Sequence, residues 1–141
     1  MKGRSNYLCL HRFDQYRDGV DGGIAVSRPG EHRAVRLIES GDRVLLPIIE
    51  AWARDTKTGD RAELTDLPED VAIWKDVAAS AETCLGSDCP RYGDCYITLM
   101  RQRAAESDVV IVNHHLLCAD ASVRHGAYGE VIPDCATLVV D

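Results

Sequence analysis

Three cysteines, Cys84, Cys89 and Cys95, crowd into the twelve-residue stretch CLGSDCPRYGDC. Four residues separate the first pair and five the second. Thiols this close are disulfide partners, buried apolar groups or metal ligands. Zinc sites favour C-x₂₋₄-C pairs in two matched halves. Here the first gap meets the upper end of that range, the second exceeds it, and no second pair stands nearby. An iron–sulfur cluster is wider than one ion, so its thiolates can stand further apart and in unequal steps. Gly86 and Gly93 permit tight turns around a bulky group, and Pro90 fixes the chain just after a ligand. A fourth thiol has to come from Cys9, Cys118 or Cys135. Cys118, in His-His-Leu-Leu-Cys-Ala, reads as an inert buried cysteine, and Cys135 precedes an apolar run that suits a core. Cys9 lies close to basic residues.

The rest of the chain bounds that chemistry. Its 141 residues suit one domain, and 45% hydrophobic with 28% charged residues is a globular balance. No apolar run reaches membrane-spanning length and no signal peptide opens the chain, so a cytoplasmic protein is expected. Six cysteines in a reducing compartment favour ligands or buried thiols over disulfides. A formal charge of −7 argues against a chain that coats nucleic acid over its whole surface. The charge is uneven, however. Residues 1–17 hold four cations against one anion, a net +3, whereas residues 50–82 hold nine anions against four cations, a net −5.

Helices are expected to carry the middle of the chain. Val44, Ile48 and Trp52 repeat every four residues beside Leu45 and Ile49, with Asp42 a candidate N-cap and Pro47 cheapest near a helix start. Pro68 with Glu69 and Asp70 reads as a second helix start, with Val71, Trp74 and Val77 as its buried stripe. A third helix is expected from Tyr92 to Glu106. Residues 1–12 read as extended or irregular, and the glycines of 18–31 as a loop. The β-branched runs 109–112 and 138–140 predict buried strands of a parallel sheet. Trp52 and Trp74 read as core, and Asn113, His114 and His115 as structural residues after a strand. The expected architecture is mainly α: a small helical domain over 1–107, then a partial α/β segment over 108–141.

At this point the sequence resembles a family. Lys2-Gly-Arg-Ser-Asn-Tyr-Leu-Cys9 looks like the opening of the iron–sulfur domain in DinG-family helicases, bacterial relatives of XPD. That family places one cysteine, a gap of about seventy to eighty residues, then C-x₄-C-x₅-C; here 74 residues lie between Cys9 and Cys84. Thr58-Gly-Asp-Arg-Ala-Glu-Leu64, Val110-Ile-Val-Asn-His-His-Leu-Leu117 and Ala136-Thr-Leu-Val-Val-Asp141 match as well. The resemblance covers essentially the whole chain.

It implies a 4Fe-4S cluster on Cys9, Cys84, Cys89 and Cys95, in a domain inserted into the first RecA-like motor domain between its Walker A and Walker B motifs. Asp141 matches the first acid of the Walker B box, a magnesium site. No GxxxxGK[ST] occurs, so ATP and Mg²⁺ belong to the parent protein only, and the chain reads as an interior fragment inactive by itself. The parent is then a bacterial, cytoplasmic, ATP-dependent 5′–3′ DNA helicase acting in replication or repair. Its partners are single-stranded or forked DNA and the remaining motor domains, with no membrane. Lys2, Arg4, Arg12 and Arg91 lie nearest the ligands, with Arg101 and Arg103 further along, and are the candidate phosphate contacts. Tyr7, Tyr92 and Tyr96 are candidates for stacking on a base. The alternatives are a metal- or cluster-bearing nucleic-acid module without motor activity, or a redox sensor.

Overall fold

The computed structural model describes residues 1–21, 40–68, 70–124 and 131–140, without the side chains of 20–21 and 40–43. Five α-helices stand in this part: α1 (Leu10–Asp21), α2 (Ser40–Asp55), α3 (Ala72–Val77), α4 (Tyr96–Ala105) and α5 (His114–Arg124). Short 3-10 turns at Arg4–Asn6, Arg61–Glu63, Gly86–Asp88 and Tyr92–Asp94 punctuate them. The chain is mainly helical, as its sequence predicts.

The predicted parallel strands are not found among the described residues. Residues 109–113 and 138–140 join no ladder, and Val109, Ile111 and Val139 are 78%, 81% and 87% exposed. A β-branched run has strand propensity, but a strand also needs neighbours to take its amides and cover its side chains. No described segment supplies them.

Extended pairing is confined to two isolated antiparallel bridges, Tyr7 with Asp60 and Leu8 with Ala78. They place Tyr7–Cys9 between two distant pieces of chain. The Leu8 amide donates to the Gly59 carbonyl at 2.9 Å, and the Cys9 amide to the Val77 carbonyl at 2.9 Å. The Ala79 amide returns a bond to the Tyr7 carbonyl at 2.8 Å. Leu8 thereby enters the core between α1, α2 and α3, beside Ile49, Ile73 and Val77, all fully buried. Each such aliphatic side chain contributes about 1.5–3 kcal/mol.

Helix boundaries depart from the sequence reading for local reasons. Leu10, Phe13 and Tyr16 recur every third residue and give α1 its apolar face, where an extended segment and then a loop are predicted. α2 starts at Ser40 and keeps Pro47 in its interior. That proline costs about 3 kcal/mol or more, which burial of Leu46 and Ile49 on either side offsets. Asp42, the predicted N-cap, instead lies inside α2, two residues after its start at Ser40; the loop residues 22–31, Glu69 and Asp141 lie outside what is described. α3 begins only at Ala72, with extended Val71 before it. α4 begins at Tyr96 because Cys95, at φ −65° and ψ 118°, breaks the run from Tyr92.

Trp52 and Trp74 are core residues, as expected, tilted at 56° with ring centroids 6.2 Å apart. The Arg61 guanidinium lies 5.2 Å from the Trp74 ring centre, and Trp74 Nε1 donates to the Ser5 carbonyl at 2.9 Å.

Gly59 is the tightest joint of the fold. Its φ is +63°, and a Cβ there would stand 2.2 Å from the Tyr96 ring. Left-handed backbone and forced displacement of an aromatic ring add together. Gly59→Ala should therefore lower stability by about 3 kcal/mol in urea melts; a change under about 0.5 kcal/mol would show that Tyr96 moves freely.

Candidate metal centre

Two elements converge on the cysteines. Cys9 ends the bridged segment and immediately precedes α1, whose Phe13 amide donates to the Cys9 carbonyl at 2.9 Å. Cys95 immediately precedes α4, and its carbonyl accepts from the Leu99 amide at 2.9 Å. Both thiols thus sit where unpaired helix amides favour negative charge. Cys89 and Cys95 are delivered in the same local way. The turn Gly86–Asp88 leads into Cys89, whose amide donates to the Gly86 carbonyl at 3.2 Å. The turn Tyr92–Asp94 leads into Cys95, whose amide donates to the Tyr92 carbonyl at 3.2 Å. Gly86, at φ +58°, makes the first of these turns.

Cys9 and Cys95 pack against one small cluster of Tyr7, Ala79 and Ile97. Burial pushes the Cys9 thiol above its ordinary pKa, the amides of Arg12 and His11 oppose that, and the charges of Cys89 and Cys95 push it further. Cys84 stands in the exposed run 81–88, within charge range of Arg101 together with Cys95. Among the described residues no three His, Cys, Asp or Glu side chains are close enough to share a metal ion. The four thiols are a soft donor set that fits an iron–sulfur centre by chemistry; of them, Cys9 and Cys95 pack against one cluster. Cys118 and Cys135 are both exposed, so the burial expected for Cys118 and the core place offered for Cys135 are not found.

The candidate cations have mixed fates. Lys2 Nζ pairs with Asp60 at 2.6 Å. Arg12 donates to the carbonyls of Ala78, at 2.5 Å, and Lys75, at 3.1 Å, and so caps the end of α3. Arg91 Nε stands 3.5 Å from Asp14, and Arg103 donates to the Lys57 carbonyl at 3.0 Å. The Arg4 side chain makes no hydrogen bond or ion pair among the described residues. Arg101 is half-buried with an unpartnered Nε. Of the three tyrosines, Tyr7 and Tyr96 are buried and Tyr92 is exposed.

The segment 58–64 serves the scaffold. Glu63 accepts from Trp52 Nε1 at 3.0 Å, from Thr56 Oγ1 at 2.5 Å and from Thr58 Oγ1. Burial alone would raise its pKa, but these three donors outweigh it and hold the carboxyl below its ordinary value. Sequence spacing also missed Asp120, a buried carboxylate that accepts from Arg124 Nε at 2.5 Å. The amides of Val131, at 2.7 Å, and Ile132, at 2.9 Å, donate to its other oxygen. Burial raises the Asp120 pKa, and Arg124 with these amides lowers it further than that, to a net depression. Its one sequence signal is the helical i, i+4 spacing to Arg124. Asn113, read as a post-strand residue, caps α5 instead: its Oδ1 accepts from the Leu116 amide at 2.8 Å, and His114 and His115 are exposed in the first turn.

Depressed carboxyl groups stabilise the fold above their unfolded pKa and lose that contribution as pH falls through the folded value. Stability should therefore hold near neutrality and decline below about pH 4. Glu63→Gln should flatten part of that acid limb in thermal melts; an unchanged limb would remove Glu63 from the account.

Over 100% of its length the chain is 40% identical to "ATP-dependent DNA helicase YoaA" of Haemophilus influenzae, covering 20% of that protein. It is 34% identical to "ATP-dependent helicase DinG" of Mycobacterium tuberculosis, again over 100% of the chain and 20% of the relative. It is 28% identical to "3'-5' exonuclease DinG" of Bacillus subtilis, covering 13% of that protein. The chain thus spans about one fifth of the length of the helicase relatives. No family model and no solved structure matches it.

Proposed function

Because this chain is homologous throughout to one segment of the DinG and YoaA helicases, we propose that it is the iron–sulfur segment of an ATP-dependent DNA helicase. In this reading Cys9, Cys84, Cys89 and Cys95 hold a 4Fe-4S cluster. The observation that carries it is that Cys9 and Cys95, far apart in sequence, pack against one small cluster, in a chain whose relatives bear helicase names. A centre of several atoms reaches across thiols too far apart for one ion. When bound, the cluster supplies a cross-link among four thiolates.

The chain's own residues then do the rest. Tyr7–Cys9 is held by bridges on both sides, Arg12 ties α1 to the end of α3, and the two 3-10 turns present Cys89 and Cys95. ATP and Mg²⁺ belong to the rest of the parent protein in the cytoplasm, to which this chain contributes the Asp141 carboxylate as a metal-site residue. Single-stranded or forked DNA is the substrate. Arg4 is the best-placed phosphate contact, since Lys2, Arg12 and Arg103 already have acceptors and Arg91 stands in ion-pair range of Asp14. The smaller exonuclease likeness favours a second reading, the same segment in a nuclease parent.

Anaerobically prepared protein should carry iron and acid-labile sulfide in equal amounts. One zinc per chain without sulfide would overturn the cluster. Arg4→Gln should lessen the salt slope of single-strand binding by about 0.7, the share of one phosphate contact, whereas Arg54→Gln, exposed and paired with Glu50, should not. Equal slopes for both would remove Arg4 from the DNA path.

A further inference from the structure

We propose that Arg101 is a positioning residue for the thiolate set, donating to the sulfurs of Cys84 and Cys95 and holding the exposed Cys84 arm against the start of α4. This rests on the cluster reading above. Arg101 lies on the same helical face as Ile97 and Ala104, both buried, at i+4 and i−3. Ile97 packs in the small cluster that Cys9 and Cys95 also touch. The guanidinium is therefore brought to the cysteine side of α4 by ordinary helical register. Its Nε is buried and has no hydrogen-bond partner among the described residues.

A buried guanidinium donor left without an acceptor is costly. The groups within charge range of it are Arg4, Cys84, Cys95 and Tyr92, and Glu82 stands within charge range of Arg4. Two guanidinium groups repel, so anions beside them are stabilising. Glu82 serves Arg4 in this way, and cluster-ligating thiolates would serve Arg101. Sulfur accepts such bonds, and outer partners of this kind fix how ligands are held. Cys84 gains most, because the run 81–88 around it is exposed and carries no helix to anchor it beyond the turn at Gly86–Asp88.

The test uses the native chain, Arg101→Gln and Arg101→Lys, prepared anaerobically. Iron release to a chelator should be about tenfold faster in Arg101→Gln, the lower end of what an outer partner contributes. The midpoint potential of the bound centre should shift negative in Arg101→Gln, because a cation that favours the reduced form is gone. Arg101→Lys should restore the potential and not the retention, since a lysine keeps the charge and lacks the planar fork. Unchanged release in Arg101→Gln would overturn the proposal. So would weakened single-strand DNA binding with unchanged release, which would make Arg101 a phosphate contact instead.

Iron and sulfide absent from the native chain would sink the cluster reading, and the positioning claim would then be read with cadmium. Cadmium titrated into the reduced, metal-free chain gives a thiolate charge-transfer band. Weaker cadmium binding by Arg101→Gln would support the role, and equal binding would end it.

Discussion

Cys9→Ser should lose iron by at least about tenfold, already the loss typical of an outer partner alone, while Cys118→Ser and Cys135→Ser keep theirs. The substitution separates ligation from folding. Serine is a good N-cap, so α1, which starts directly after Cys9, keeps its first amides satisfied. Leu8 remains in the core and the bridges to Asp60 and Ala78 remain available. Iron loss in Cys9→Ser with an unchanged far-ultraviolet dichroism spectrum would therefore mean a lost ligand. The exposed run 81–88 should also become the first site of protease cleavage, because nothing then ties it to the N-terminal segment. Full iron content in Cys9→Ser would exclude this residue and return the question to Cys118 and Cys135.

Asp120→Ala should cost about 3 kcal/mol, the loss expected when one partner of a buried ion pair disappears. The carboxylate is 4% exposed and takes three donors from two separate pieces of chain. Removing it strands the Val131 and Ile132 amides as well as weakening the hold on Arg124. Arg124 also reaches Asp134 at 2.6 Å and the Ile132 carbonyl at 2.7 Å, so part of the tie survives. Asp120→Asn should cost less, since an amide oxygen can still accept from the two backbone donors. Hydrogen exchange should show the loss at 131–132 first, with the α1–α3 core little changed. Equal losses for the two variants would mean that the charge carries the whole effect.

Chemistry that depends on residue type and short spacing was open to reading from the sequence. The two core tryptophans and the helical content are of this kind. The strands were not, because Val109–Val112 states a propensity and leaves the partner unstated. Arg12 and Lys2 look alike as surface cations in the sequence, yet one caps α3 and the other neutralises Asp60. Their acceptors are backbone or side-chain oxygens some sixty residues away, which no local pattern encodes. Asp120 was hidden for the same reason: two of its three partners are amides, and amides have no sequence signature. Of the cysteine triplet, the part that eluded spacing was Arg101, whose place follows from α4 beginning at Tyr96 and not at Tyr92.

The middle position of Tyr7–Cys9 also has a temporal side. Its two flanking partners, Gly59–Asp60 and Val77–Ala79, leave the ribosome long after it does. At roughly 5–20 residues per second, the seventy residues between Leu8 and Ala78 take about 4–14 s to synthesise. Through that interval Leu8 has no core to enter and Cys9 is an accessible thiol. The segment is made well before the partners that place it, and Cys84, Cys89 and Cys95 emerge later still. On the proposed cluster reading, a four-thiolate site is complete only after synthesis has passed residue 95, so iron and sulfide would have to be supplied after that point.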